Sequence, residues 1–484
     1  MKTTYNQFLA AARNNAEVII YQDLPLETSP SECLRRLQSH FPCLALIDFY
    51  TTNEDHYSFI GFDPHTVLTA QTNTTTVVTQ NETAESTENP FLVLQKLHKQ
   101  NKPAFSQQTC RLTGSPIGFL GYDAIRYIEN IPDQHQKMPS IPDLSFYFFR
   151  FGIYFDYLKK SMTISIVTPT QNPETDYATA FENINTVIEY LKTPSVTKPT
   201  KKPNDKIKID PPDEDFMEKI KVAKKYIQCG DIFQTVLSRT FTKKFTADPI
   251  DLYEQLIKIN PSPYQFYFQN ENFTLLGASP EKIIRIQGRT VTSTPLAGTR
   301  PTGDRPHQEI VDDLLNDEKE LAEHMMLVDL ARNDIGKVSI PGRVNTARLT
   351  YPITLKHVIH LASDVQGVLD PHHDVIDALT ANFPAGTLSG APKIRAMQII
   401  DELETSRRGV YGGSIVVIDH EDNLDTAIII RHAVINDQQI TVRTGCGVVF
   451  DSNPLAEAQE TEHKAKSVLT AINLCENLQG ENQC

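Results

Sequence analysis

Apolar residues along this chain recur mainly at strand spacing, in runs broken by long helical segments that never alternate strictly with them. That pattern favours an α+β architecture over a parallel α/β sheet, which needs a helix after nearly every strand. Candidate strands in the first part are 43–49, 57–61, 118–121, 146–155 and 162–167, with a helix over 175–191. A proline-rich, basic stretch then follows, TPSVTKPTKKPNDKIKIDPP at 193–212, with few large apolar residues. It predicts a linker, and hence two domains at 1–205 and 206–484. Beyond it come a helix at 213–228, strands at 232–245, 273–277 and 282–287, and a long helix at 308–331. Strands at 415–418, 427–434 and 441–444 precede a last helix from Pro454.

The formal charge of −14 and the lack of a Lys/Arg-rich run interleaved with aromatics argue against a nucleic-acid partner. No apolar run approaches the ~20 residues of a membrane span. The seven cysteines are odd in number, scattered and never in CxxC spacing, which fits neither a disulfide framework nor a zinc site. With no secretory signature at the N-terminus, a cytoplasmic setting is expected.

Chemistry is concentrated in the second part. The segment PAGTLSGAPKIRAMQIIDELE runs from small residues into a helix, with Ile394, Met397, Ile400 and Leu403 at core spacing. Its glycines allow close backbone approach, and free N–H groups beside Lys393 suggest an anion site. It is not a Walker A loop, because Gly390 is followed by Ala-Pro-Lys rather than by Lys and Ser/Thr. Two helices each carry glutamates three residues apart, Glu320 with Glu323 and Glu457 with Glu460, and Lys464 lies one turn further on. Four such carboxylates can surround a hard divalent cation such as Mg²⁺, although either pair alone is more often a solvated helix face. Glu281 sits in a turn between apolar strands, where burial would raise its pKa and suit it to general acid work; a surface turn carboxylate is the plainer alternative. His360 lies in an apolar strand-like run, the usual setting of a core histidine. Arg431 ends the run AIIIR, placed either for a ligand carboxylate or for a structural ion pair. TGCG at 444–447 adds two glycines.

These residues resemble the chorismate-utilising enzyme family and, within it, its anthranilate synthase component I branch. The matching segments are YIQCGDIFQTVLSR, NPSPYQFY, LLGASPE, PLAGTRPTG, DEKELAEHMMLVDLARND, PAGTLSGAPKIRAMQIIDELE, RRGVYGG and DSNP…EAQETEHKA, in family order. The first part matches mainly in HYSFIGFDP. The resemblance implies antiparallel sheets packed face to face with helices outside, and a Mg²⁺-dependent reaction of the dicarboxylate chorismate. It implies metal ligation by Glu323 and Glu460 with Glu320 and Glu457 beside them, and Glu281 as the acid that protonates the departing C4 hydroxyl. His360 would stand near the ring. Arg431, Tyr411, Lys464 and backbone at Gly445 and Gly447 would meet the enolpyruvyl carboxylate, with Thr299, Thr387 and Gly390 as further substrate contacts.

Two positions speak to the nucleophile. Isochorismate and salicylate synthases carry a water-activating lysine where this chain has Gln234, and many aminodeoxychorismate synthases a nucleophilic lysine where it has Ala297. Direct attack by ammonia is the reading left, giving anthranilate; 4-aminodeoxychorismate formation and non-catalytic chorismate binding are the alternatives. No glutaminase signature is present, so a separate glutamine amidotransferase subunit in a hetero-oligomer is expected to supply the ammonia. Relatives inhibited by tryptophan carry Leu-Leu-Glu-Ser where this chain has Leu46-Ile47-Asp48-Phe49, and PSPYM where it has 261–265 with Pro263, Tyr264 and Gln265. Those departures in the effector pocket predict weak or absent inhibition.

Overall fold

The computed structural model describes residues 1–50, 56–105, 107–135, 141–194, 205–303, 305–354 and 358–481, the side chains of 478–481 excepted. Residues 195–204 of the expected linker lie outside the described residues.

Strand alternation builds the architecture. In Leu44–Tyr50, Leu44 and Leu46 face one way, while Ala45, Ile47 and Phe49 face the other. In Ser414–Ile418 the same split sends Ile415 and Val417 inward and Val416 and Ile418 outward. The inward sets meet in one aromatic-rich core with Phe59, Phe119, Phe149, Tyr264 and Phe266. Two antiparallel sheets therefore pack face to face, as expected. Helices Pro30–Leu37, Pro249–Ile259 and Pro454–Glu481 cover one outer face. Glu318–Gly336, Val375–Asn382 and Lys393–Leu403 cover the other.

The first sheet runs from the long strand His56–Gln71 through Leu44–Tyr50, Tyr264–Gln269, Thr274–Ser279, His432–Asn436 and Gln439–Val448 to Gln234–Lys244. The second runs from Leu144–Asp156, which pairs with His56–Gln71 and so joins the two layers, through Pro116–Leu120, Ser414–Ile418, Leu424–Ile428, Arg285–Gln287 and Thr290–Ser293 to Val358–Val368. Strands from either side of position 205 thus pair directly, Phe49 opposite Tyr264 and Leu120 opposite Ser414.

Several elements differ from the sequence expectation. The helix expected over 308–331 is two, His307–Leu315 and Glu318–Gly336. The break comes at Asp317, whose carboxylate accepts from the N–H groups of Lys319 (3.1 Å) and Glu320 (3.2 Å) and so starts a new helix. The strand expected over 427–434 is interrupted after Ile428 and resumes at His432, with Arg431 at φ +48° in the joint. The strand expected from 282 begins only at Arg285, because Ile283 and Ile284 N–H donate to Thr426 Oγ1 instead of to a ladder (3.1 and 3.0 Å). Ile394, expected in the core, is 46% exposed; the helix Lys393–Leu403 buries Ala396, Met397, Ile399 and Ile400. The six described cysteines are free, and no described helix is long and apolar enough to cross a membrane.

Candidate active site

A cavity of ≈ 240 Å³ opens where strand ends, a turn and two helices converge. Nine residues singled out in the sequence line it: Glu281, Thr299, His360, Thr387, Tyr411, Arg431, Gly445, Gly447 and Lys464. Ala297 is also in the wall.

Glu281 is buried in the turn after Thr274–Ser279. Burial pushes its pKa up to about 7, against the opposing effects of the Thr387 hydroxyl, the Leu296 N–H and Lys464. Thr387 Oγ1 donates to Glu281 Oε1 at 3.0 Å, holding the carboxyl in place. A carboxyl poised near neutrality in a cavity wall is equipped to give up a proton.

His360 stands on Val358–Val368, opposite Thr299. Its Nδ1 lies 3.2 Å from the Gly298 carbonyl and 3.0 Å from Thr299 Oγ1. A carbonyl only accepts, so Nδ1 carries the proton and Nε2 is left with a lone pair. That Nε2 is buried without a hydrogen-bond partner among the described residues. Burial first, then Arg431 and Lys464, depress the pKa and keep the ring neutral.

Arg431 reaches the cavity from its left-handed backbone position, a conformation that non-glycine residues adopt at some cost. Nη1 donates to Asn260 Oδ1 at 2.8 Å. No acidic partner of the Arg431 guanidinium occurs among the described residues. Lys464 Nζ donates to the Gly445 carbonyl (3.0 Å) and pairs with Glu460 (2.6 Å). Gly445 has no room for a side chain, since a Cβ there would lie 2.6 Å from the Leu237 carbonyl and 2.7 Å from the Tyr411 hydroxyl.

Gln234 and Gly390 sit behind the wall rather than in it. They are joined where Gln234 pairs with Ala391 and Thr235 with Gly390. Gln234 Oε1 is buried without a partner among the described residues. Gly390 has φ +135°, and a Cβ there would lie 2.2 Å from the Gln234 carbonyl. Gly390→Ala is therefore expected to destabilise the fold by about 1–3 kcal/mol, read as a lower midpoint in urea. Lys393 does not face a ligand: it is buried, donating to Asp334 (2.6 Å) and to the Asn382 carbonyl (3.3 Å). The anion site first suggested by this segment is thereby a structural ion pair.

The four glutamates stand on two helices and none of them lines the cavity, which Glu460 meets through Lys464. Glu320 is engaged by Arg300 Nη1 at 2.9 Å. Burial, and beyond it the like charges of Glu320, Asp317 and Glu460, raise the pKa of Glu323. Burial and Glu460 raise that of Glu457, whose Oε2 is buried without a partner among the described residues. Among the described residues, no three His, Cys, Asp or Glu side chains already gather at metal-holding distance. The chemistry nevertheless fits Mg²⁺: hard carboxylate oxygens, crowded enough to repel one another, with one oxygen left orphaned.

The floor of the cavity escaped sequence reasoning. Glu404 is buried between Arg408 (2.8 Å) and Arg443 (2.7 Å), and also accepts from the Ser238 hydroxyl and N–H. Arg443 lines the cavity, and Arg408 also donates to the carbonyls of Leu388 and Val236 (both 2.6 Å). The four-residue spacing of Glu404 and Arg408 was the available signal.

The residues proposed for an effector pocket pack closed. Phe49 and Tyr264 are buried cross-strand neighbours with rings edge to face at 5.1 Å, Pro263 precedes Tyr264, and Gln265 donates to the Ser262 carbonyl. Asp48 pairs instead with His56 at 2.8 Å.

Residues 47–470 match the model of the chorismate binding enzyme family. Anthranilate synthase component 1 of Acetivibrio thermocellus is 36% identical over 467 residues, 94% of each chain. That of Synechocystis sp. is 35% identical over 97% of this chain and 98% of its own. The crystal structure of anthranilate synthase component I from Streptococcus pneumoniae superposes with a TM-score of 0.76 at 32% identity, covering 87% of this chain and 93% of its own. The menaquinone-specific isochorismate synthase MenF of Escherichia coli shares the fold alone, at 18% identity and a TM-score of 0.72. With an acid, a neutral histidine and the Arg431 guanidinium around one cavity, and with these likenesses along nearly its whole length, the chain belongs to the chorismate binding enzyme family, on its anthranilate synthase component 1 branch.

Proposed function

We propose that this chain converts chorismate and ammonia to anthranilate and pyruvate. The observation that carries the reading is Glu281, a buried carboxyl with pKa about 7, facing a cavity whose other walls present Arg431 and Lys464. One carboxylate of the substrate lies against Arg431, the Lys464 side and the backbone at Gly445 and Gly447. Glu281, held by Thr387, gives its proton to the C4 hydroxyl, which leaves as water while ammonia adds at C2. His360 offers its Nε2 lone pair to the ring side of the cavity, and Tyr411 and Thr299 complete the wall. Neither Gln234 nor Ala297 is a lysine, so neither position offers a competing amine or a base for water.

Glu323 and Glu460, with Glu457 and Glu320 beside them, would hold Mg²⁺, which when bound would supply positive charge for the ring carboxylate. Chelation is expected to abolish turnover, and added Mg²⁺ to restore it, while far-UV circular dichroism stays unchanged. The glutamates' mutual repulsion predicts a small rise in stability on chelation-free titration with Mg²⁺, read by thermal melting.

Incubation with chorismate, Mg²⁺ and ammonium, followed by fluorescence and product chromatography, tests the whole reading. Anthranilate supports it, 4-aminodeoxychorismate transfers the chain to the folate-type reaction, and no turnover leaves a binding protein. Ammonia from glutamine is expected only with an added amidotransferase subunit, since glutamine-dependent turnover by the single chain contradicts a separate partner. With Phe49 packed on Tyr264 where an effector would sit, micromolar tryptophan is expected to leave activity nearly unchanged. Half-inhibition at micromolar tryptophan overturns that expectation.

A further inference from the structure

Glu281 and Thr387 line two cavities, not one. Beyond them from the substrate cavity lies a second space of ≈ 40 Å³, walled by Ile283, Ser293, Leu327, Ala331, Asp334 and Gly386, among others. A water molecule needs about 10–15 Å³ of such space, so this one has room for about three or four. Its depth is polar as well as apolar. Asp334 is buried there as a carboxylate between Lys393 (2.6 Å) and Lys337 (2.9 Å). Its rim reaches solvent, since Lys282, Leu330 and Ala331 are only partly covered. The mechanism above gives this space no task.

The general acid, however, has a supply problem. It loses a proton in each turnover, at a moment when substrate fills the front cavity and separates it from bulk water. The other titratable side chains lining the front cavity are Tyr411, Arg431, Arg443, Lys464 and the neutral His360, and among the described residues the side chain hydrogen-bonded to the Glu281 carboxyl is that of Thr387 instead. The rear space adjoins the same Glu281–Thr387 pair from the side away from the substrate.

The geometry points to a rear port: a water-filled passage between Ala331, Ser293 and Gly386 through which Glu281 regains its proton from solvent while the front cavity is occupied. This rests on the proposed reaction. In it the C4–O bond breaks and the hydroxyl leaves as water with the proton of Glu281. The C2–N bond forms from the ammonia lone pair as the ring double bonds shift; the C2 proton is then lost as the C3–O bond breaks, the ring aromatises, and the released enol takes up a proton to become pyruvate. The nitrogen sheds one proton, which leaves with the products when the front cavity opens, and Glu281 recovers one through the port, so no net proton is consumed and nothing is oxidised or reduced.

Ala331 is the position from which to close the port, being partly buried on Glu318–Gly336 and not in the lining of the substrate cavity. Ala331→Phe is the plug, Leu330→Phe a second plug should the first fail to fold, and Ala331→Ser an open control. Steady-state kinetics in H₂O and D₂O, with chorismate and ammonium varied separately, read the effect. The expected result for a plug is a fall in kcat of about tenfold with a larger solvent isotope effect. Both KM values should stay within about twofold, and the serine control should match wild type. A plugged enzyme with wild-type kcat overturns the port. So does a rise in the ammonium KM at unchanged kcat, which makes the space an entry for ammonia instead. A displacement of the Glu281 limb of the pH profile by about one unit also overturns it, since the plug then acts on the acid itself. Wild-type enzyme that forms no anthranilate refutes the earlier reading, and is distinguishable from all of these.

Discussion

Replacing Glu281 by glutamine is expected to lower kcat about 10²–10⁴-fold, the usual contribution of a positioned general acid, while the chorismate KM changes little. Glutamine keeps the shape and still accepts from Thr387 Oγ1, so the cavity survives; only the transferable proton is removed. The pH dependence follows from the sign of the shift. Burial raises the Glu281 pKa to about 7, so the active, protonated form predominates below that value and is lost as pH rises through it. At constant free ammonia, wild-type activity should therefore fall above neutrality, and the residual activity of E281Q should lack that limb. The same shift predicts that E281Q is more stable than wild type at alkaline pH, because a buried carboxyl with a raised pKa costs stability once it ionises. A variant with wild-type kcat would falsify the assignment of the acid.

The second large effect concerns stability rather than chemistry. Glu404→Leu should cost about 3–5 kcal/mol, because it leaves the buried guanidiniums of Arg408 and Arg443 without a carboxylate between them. All three side chains are at most 4% exposed. Loss should appear as a lower urea midpoint and as weaker substrate binding, since Arg443 lines the cavity and Arg408 ties Leu388 to Val236 beneath it. The two arginines hold the Glu404 pKa below its usual value despite burial. Its contribution is thus present above the ordinary glutamate range and is lost as pH falls through the depressed value. Glu404→Gln, which keeps some hydrogen bonds, should fall between leucine and wild type.

How much of this was legible depends on the range of the interaction. The helix at Pro173–Lys192 and the strand Gln234–Lys244 follow from local periodicity, and both lie within a few residues of their expected bounds. The break at Asp317 was missed although an N-capping aspartate is a local signal, because the flanking apolar spacing is continuous across it. The interruption before His432 was not legible, because Ala427–Arg431 reads as one apolar run. What breaks it is a distant carbonyl-and-amide pattern, Ile429 N–H to the Gly413 carbonyl and Ala278 N–H to that of Arg431. Ile394 shows the converse, a residue at core spacing that is left 46% exposed.

The sequence by itself determined the residue types that the chemistry needs, their family order, and the α+β class, because these depend on composition and on spacing along the chain. It did not decide which of them meet. Glu281 from one turn, Thr387 from another and Lys464 from the last helix face one cavity only because two sheets stack and their strands pair across the whole length of the chain. The same packing moved Gly390 and Lys393 behind the wall, engaged Glu320 with Arg300, and placed the Glu404 hub under the floor. Burial, charge compensation and cavity shape belong to groups far apart in sequence, and tertiary structure alone sets them.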